Sequence, residues 1–299
     1  MKNVVVIGSR QSGKKNNPND IARHISNEET SVTRLFWEDL VISIETNNVR
    51  ILSDNFDLLN SKVDLVIAVG WYKNGSKSIY RDLAFSVALA LKHHDIAFWN
   101  SEMGQQRSTT KLSAMVQLAL EGISVPKTWF SLDSDKLPEL TYPYVAKAAA
   151  ASRGASNFLV ENDSQAKEFK ESEGYFIIQP FLPNDHDLRV ICFSGMPTLV
   201  LRRARHADAN THMNNTSQGG QADWIELDDL SPELLTFSEK VCKIMQREMA
   251  GIDLIPDDTS PVGYSCLEVN AVPQLTSGTD SDKKLTAFGE AVRDLQGNF

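Results

Sequence analysis

The chain has 299 residues, 41% of them hydrophobic and 23% charged, which is enough for two or three compact units and argues against wholesale disorder. A formal charge of -9 speaks against an obligatory nucleic-acid surface, which needs a basic face, while leaving room for a local basic pocket. No run reaches the roughly 18 apolar residues of a membrane helix, and Cys192, Cys242 and Cys266 lie far apart in apolar runs, as buried thiols of a reducing compartment do; a soluble, cytoplasmic protein is expected.

Residues 3–8 (NVVVIG) form a continuous β-branched run stopped by Gly8, the pattern of a buried parallel strand, and 63–70 (VDLVIAVG) repeats it. Between them, 30–40 and 47–54 read as further strands or short helical pieces. Residues 78–94 place Leu83, Val87, Ala90 and Leu91 at helical spacing, and 95–100 reads as a strand. The first hundred residues therefore alternate strand and helix, as an α/β unit does. An amphipathic helix over 109–123 opens the next unit, with Gly122 as its stop. Short strands at 126–130, 143–148 and 157–160, a helix over 163–172 and a strand at 175–179 follow. A meander of 187–193 and 198–204 turns at Ser194-Gly195. The polar stretch 205–222 reads as a loop and 231–249 as a helix. A hairpin of 251–255 and 264–270 closes the chain.

One phosphate-loop look-alike fails. Gly8-x4-Gly13-Lys14 follows a strand, but position 15 is Lys, so the Mg²⁺-holding hydroxyl is missing, and Pro18 stands where the helix should already be under way; a flexible strand-to-helix turn is the simpler reading. The stronger constellation is the closing hairpin. Glu268 and Asn270, two apart on a strand, share a face, and Asp253 on the preceding strand is placed to meet them. Hard oxygen donors of this kind suit Mg²⁺, although a polar strand end would also look like this.

Lys147 lies in the apolar strand YVAKA, where an ammonium needs a reason such as a phosphate, and it precedes the small-residue loop AAAASRGASN. Lys111, near the start of the amphipathic helix, is placed to reach the same anion; each lysine alone would read as a snorkelling surface residue. Asp187 and Arg189 share a strand face, and Arg202-Arg203 end the partner strand, cations suited to charge on a transferring phosphoryl group. The six histidines show no metal-ligand spacing, and His206 and His212 read as solvated loop residues.

Taken in order, these pieces resemble the ATP-grasp superfamily, and most closely its RimK-like carboxylate–amine ligases. KLSAMVQLALEGISVPKTW is similar to the family's K-L…G-I-x-V-P-x-T segment, and YPYVAKAAAASRGASNFLV to its P-x-V-x-K strand and phosphate-covering loop. IIQPFLPNDHDLRV is similar to the Q-E-aromatic-I hinge with D-x-R, and NNTSQGG to N-(x)3-G-G; AGIDLI and CLEVNAVP resemble the G-x-D and E-V-N-x-x-P ends. The matches run over about 100–275.

The resemblance implies an α/β and α+β architecture, the ATP-grasp fold behind an N-terminal α/β domain: 1–100 N-terminal, 101–180 central subdomain, 181–299 C-terminal subdomain. It implies ATP and Mg²⁺ (or Mn²⁺) as cofactors, and an acyl-phosphate route to an amide with release of ADP and phosphate. Lys111, Lys147 and the loop residues Ser152, Arg153 and Gly154 would contact phosphates, and the hinge Gln179, Pro180, Phe181 and Leu182 would hold adenine largely through backbone atoms. Asp187 would lie on the ribose side. Asp253, Glu268 and Asn270 would bind two metal ions, or one with water. Arg189, Arg203 and Asn215 would lie near the acyl phosphate, with Arg202 a neighbouring alternative. Implied partners are an amino acid or peptide bearing a carboxylate and an amine donor, with neither nucleic acid nor membrane, and with a homo-oligomer allowed. A free small-molecule (dipeptide) ligase and a catalytically weak ATP-binding regulator are the competing readings.

Two positions depart from the family pattern. Position 180 is Pro where Glu is usual, which leaves the carbonyl acceptor intact. The loop 148–157 has Gly154 as its single glycine, which stiffens it.

Overall fold

A computed structural model of the chain describes residues 1–10, 16–69, 77–102, 111–133, 136–148, 157–171, 175–205, 214 and 221–294. Strand β1 (Lys2–Gly8) pairs in parallel with β2 (Thr30–Phe36), joined through helix α1 (Pro18–Ile25). Its run Val4-Val5-Val6-Ile7 is buried on both faces, as a strand in a covered parallel sheet must be. Strands β3 (Val41–Glu45), β4 (Asn48–Ser53) and β5 (Phe56–Asp57) form a separate antiparallel sheet. Strand β6 (Leu65–Ala68) then joins the free edge of β1, and after helix α2 (Lys77–His93) strand β7 (Ala97–Trp99) completes a parallel sheet of order β2-β1-β6-β7.

Helix α3 (Lys111–Leu120) precedes a second sheet, built from β8 (Trp129–Phe130), β9 (Tyr144–Ala148), β10 (Asn157–Val160) and, after helix α4 (Asp163–Glu171), β11 (Phe176–Pro180), in the order β10-β9-β11-β8. Alternation sorts its residues. Tyr144, Ala146 and Ile178 pack into a small core on one face, while Val145, Lys147 and Gln179 take the other.

The third sheet contains β12 (His186–Phe193), β13 (Met196–Ala204), β14 (Gln221–Ile225), β15 (Ala250–Pro256) and β16 (Tyr264–Asn270), with helix α5 (Pro232–Met245) between β14 and β15 and helix α6 (Ser281–Arg293) after the sheet. All its pairings are antiparallel, in the order β14-β13-β12-β15-β16. One face, with Leu188, Val190, Cys192, Ile252 and Leu254, packs against α3 and α5. On the other face Ile191 and Phe193 meet Phe288 and Val292 of α6 and Val4 and Val6 of β1, so a single core joins the first and third sheets. Phe288 stands edge-on to both Phe193 and Trp99, with centroids 5.2 and 5.9 Å away. The seam is locked by hydrogen bonds: Asn100 accepts from the Met249 amide at 2.9 Å, and the Glu248 carboxylate accepts from the Ser101 amide at 2.8 Å.

Several elements differ from the sequence expectation. Pro18 does not prevent a helix. It is the first residue of α1, where its missing N–H is an orphan anyway, and Asn17 caps the turn by accepting from the Asn19 amide. Helix α5 stops at Met245 rather than 249 because Gln246 takes the left-handed conformation and caps the end. The polar stretch expected to be loop through 222 gives way to β14 from Gln221, and α6 was not anticipated. Helix α3, counted with the central subdomain by sequence, packs on the third sheet.

Gly8 sits where a Cβ would come within 2.8 Å of Pro18 Cβ and Cγ. Gly8→Ala should therefore cost about 1–3 kcal/mol through the displaced α1 start, visible as a lower denaturation midpoint with an unchanged urea m-value.

Candidate active site

The second and third sheets face each other across an open cleft enclosing about 870 Å³. Val145, Lys147, Asn157 and Gln179 line one wall; Asp187, Arg203, Asp253 and Glu268 line the other; Lys111 and the connection Pro180–Leu182 close it. Ten of the residues singled out in the sequence thus converge. Arg189 sits directly behind, bonded to Asp253, and Asn270 lies two residue pairs along β16 from Glu268. Ser152, Arg153, Gly154 and Asn215, and likewise His206 and His212, lie outside the described residues.

The first wall is organised around Lys147. Its ammonium donates to Gln179 Oε1 at 2.7 Å, and Gln179 Nε2 donates to Thr128 Oγ1 at 2.9 Å. Lys147 and Gln179 are diagonal neighbours across β9 and β11, within reach for long side chains. Burial, reinforced by the like charge of Lys111, pulls the Lys147 ammonium down to about 8. The hinge was expected to act through its backbone; the Gln179 side chain has its own task of orienting the lysine. Further along, the Phe181 amide is engaged by the Pro143 carbonyl at 3.1 Å, whereas the Leu182 amide has no hydrogen-bond acceptor among the described residues.

On the second wall, register produces a charged row. Arg203 lies opposite Asp187, Arg189 opposite Asp253, and Asp253 opposite Glu268, so β13, β12, β15 and β16 each add a charge to one sheet face. Arg189 grips Asp253 with Nε and Nη2, each at 2.7 Å. Arg203 donates Nε to Asp187 at 2.6 Å and reaches Asp253 Oδ1 with Nη2 at 3.2 Å. Burial pushes the Asp253 carboxyl upward, but the two arginines outweigh it and hold it below its ordinary range. Asp187, expected on the ribose side, is here the partner of Arg203, and burial keeps its carboxyl above the usual value. Glu268 differs from both. Among the described residues its side chain accepts no hydrogen bond and forms no ion pair, and burial followed by the charge of Asp253 raises its carboxyl.

A bulge aims that carboxylate. Pairing slips between Asp253↔Glu268 and Leu254↔Cys266, so Leu267 is the extra residue on β16. Cys266 and Val269 both enter the core, while Leu267 and Glu268 both face the cleft. Without the bulge, strict alternation would put Glu268 on the same side as Cys266.

The donor set suits a hard divalent cation. Glu268 is a carboxylate with no direct hydrogen bond or ion pair among the described residues. Asn270 donates weakly to the Gly251 carbonyl at 3.4 Å, which leaves its side-chain oxygen available. A carboxylate has about four lone-pair sites, and the arginines take two on Asp253 Oδ1 and one on Oδ2, so one position on Oδ2 remains.

Sequence reasoning missed Asn184 and Asn214. Asn214 donates to Asn184 Oδ1 at 2.8 Å, and Asn184 donates to the Leu182 carbonyl at 2.7 Å, so the pair sits in the cleft beside the hinge. The only available signal was the doubled Asn214-Asn215, from which the motif pointed to the second.

Two facing sheets joined by a hinge, with Lys147 on one wall, carboxylates with arginines on the other and Lys111 closing the cleft, define an ATP-grasp protein. Residues 108–288 match the RimK-like ATP-grasp domain, and the chain belongs to that family. It is 28% identical over 185 residues to the probable alpha-L-glutamate ligase 1 of Shewanella denitrificans, covering 59% of this chain and 61% of that protein. It is also 28% identical over 207 residues to the probable alpha-L-glutamate ligase of Aeromonas salmonicida, covering 64% and 67%. The chain thus spans about three-fifths to two-thirds of these relatives. In fold it is similar to the ATP-grasp ligase PsnB complexed with minimal precursor, Mg and ADP (TM-score 0.70, 15% identity, 97% and 96% of the two chains). It is likewise similar to the D-alanine–D-alanine ligase of Bacillus anthracis complexed with ATP (TM-score 0.60, 16% identity, 99% and 100%).

With burial pulling the Lys147 ammonium down to about 8, the phosphate-binding role expected of it from the sequence implies that nucleotide affinity falls as pH rises from 7 to 9. Gln179→Ala removes the acceptor that favours the charged form and should move that fall to lower pH. Calorimetric titration of ATP across this range checks both. For stability the sign is opposite: the folded state binds fewer protons than the unfolded between about 8 and the ordinary 10.5, so this group adds stability as pH rises through that window.

Proposed function

We propose that the chain is an ADP-forming carboxylate–amine ligase that couples ATP hydrolysis to amide formation through an acyl phosphate. The observation that carries this reading is the division of charge across the cleft. The Lys147–Gln179 pair faces Glu268, a carboxylate with no direct ion pair among the described residues, with Arg189 and Arg203 beside it. A metal–triphosphate satisfies both walls at once.

Lys147 and Lys111 hold phosphate oxygens, and the Leu182 amide and the carbonyls of the hinge hold the adenine edge. Glu268, Asn270 and the remaining position on Asp253 would hold Mg²⁺ or Mn²⁺, which would supply Lewis-acid charge to the phosphates. The substrate carboxylate attacks the γ-phosphorus. A carbon–oxygen–phosphorus bond forms, the bond to ADP breaks, and Arg189 and Arg203 offset the charge spread over the equatorial oxygens. The amine then attacks the acyl carbon; the carbon–nitrogen bond forms as phosphate leaves and the nitrogen loses a proton. The glutamate-ligase names of its relatives support an amino acid as the amine and a peptide or amino acid as the acid. Among the described residues no helix is long and apolar enough to cross a membrane, and the three buried free cysteines support placement in the cytoplasm.

Hydroxylamine should trap the activated acid as a hydroxamate only when ATP, divalent metal and the right acid are all present. Lys147→Met keeps the apolar stem and should abolish the signal with a loss of ATP affinity. ATP binding without hydroxamate across a broad panel of amino acids and peptides would favour the regulator reading instead. Glu268→Ala should lower turnover by at least about 100-fold with the fold retained; wild-type turnover would overturn the metal assignment.

A further inference from the structure

Beyond the cleft, a further cation is buried beside the turn that leads into α6. Lys284, in the first turn of α6, is 5% exposed. It forms no ion pair with a carboxylate within the described residues. Its ammonium instead donates to the carbonyls of Gln274 at 2.5 Å and Ser277 at 2.6 Å. An ammonium has three donors, so one is left over. In the same turn the Ser277 hydroxyl is buried without a hydrogen-bond partner. Two donors of one turn, with no acceptor for them among the described residues, call for a further acceptor.

The turn is anchored on both sides, so these donors are fixed. Asn16 Oδ1 accepts from the Leu275 amide at 3.0 Å, and the Asn17 amide donates to Thr276 Oγ1 at 3.0 Å, tying the turn to the start of α1. On the other flank, Pro273 and the Arg189 side chain lie against the same glycine: a Cβ on Gly251 would be 3.5 Å from Pro273 and 3.9 Å from Arg189 Cδ. Access runs over Gly278, which is exposed: a Cβ there would stand 3.9 Å from Nζ and 3.4 Å from Gln274 Oε1, so the glycine leaves room beside the ammonium and the Gln274 carboxamide borders it. Burial, then the charge of Arg189, pulls the Lys284 ammonium to about 8, a cost that a bound anion would relieve. A lysine that only stapled the turn would explain the two carbonyl bonds, but neither the idle third donor nor the orphaned hydroxyl.

The geometry points to Lys284 and Ser277 as the carboxylate-binding subsite for the amino acid that brings the amine, on the N-terminal side of Arg189. This rests on the ligase reading. A carboxylate accepts one hydrogen bond from each donor, and this leaves the amine free to approach the acyl group held near Arg189.

The test is calorimetric titration of L-glutamate, L-glutamine and 4-aminobutyrate into the whole protein, saturated with Mg²⁺ and a non-hydrolysable ATP analogue. Glutamine lacks the side-chain carboxylate and 4-aminobutyrate the α-carboxylate, so the pair shows which group the subsite holds. Wild type should bind glutamate and lose roughly 10- to 100-fold with one of the two analogues, the scale of a hydrogen-bonded charge. Lys284→Met should weaken glutamate by a similar factor and erase the discrimination. Lys284→Arg should restore part of it. Ser277→Ala, a small change that keeps the turn, should lose a few-fold in the same direction. Equal weakening of all three ligands, or glutamate binding unchanged in both Lys284→Met and Ser277→Ala, overturns the subsite. Absence of ATP-dependent hydroxamate in wild type would instead count against the ligase reading, whatever the titrations give.

Discussion

The Asp253 carboxylate, buried and held by two arginines, is the interaction on which the cleft depends. Removing such an anion from water is costly, and an isolated one would take up a proton rather than remain charged. Arg189 and Arg203 compensate it from the neighbouring strands, and Asp187 in turn occupies Arg203. The row exists because antiparallel register puts these residues opposite one another on one sheet face. Two residues further along β12 that face becomes apolar, where Ile191 and Phe193 pack on α6 and β1. One strand therefore serves as site wall at one end and as core at the other. Its charged end is rigid because its apolar end is buried.

This dependence explains what could be read from sequence. Lys147 was legible because a lysine inside YVAKA violates the apolar pattern, and such violations mark sites. Glu268 and Asn270 were legible from their spacing, but the device that aims them was not. Alternation alone places Cys266 and Glu268 on one face, and only the pairing to β15 reveals the extra residue at Leu267. The Arg–Asp partnerships were equally hidden, since Asp187 and Arg203 are separated by a turn whose register a single sequence does not specify. The role of the Gln179 side chain was missed for the same reason.

The terminal helices show a different limit. Helix α1 is eight residues long, starts with a proline and follows two asparagines, features that individually signal a turn. Its cap and its burial at Ile21 and Ile25 decide for helix, and the burial depends on the contact with α6. In α6 the apolar positions Leu285, Phe288 and Val292 do have helical spacing, but charged and small residues between them dilute the signal. Tertiary packing settles these two segments, each against the other.

Lys147 and Glu268 stand on opposite walls, yet each lowers the electrostatic cost of the other's charge, as Lys111 does for Glu268. Without ligand the cleft is thus a pair of charge layers that compensate each other across a gap too wide for direct hydrogen bonds. On the proposed reading a metal-bound nucleotide would enter between them by exchange: the lysines would turn from distant carboxylates to adjacent phosphates, and Glu268 from distant lysines to an adjacent cation. Each charge trades a weak, solvent-screened partner for a close one, so metal and nucleotide favour each other's binding. Either alone would leave one wall with less compensation than before. On that reading, charge layers placed on opposite sides of one hinged cleft would respond to the complex rather than to its parts, which is what the proposed ligase would need if it is to avoid idle hydrolysis.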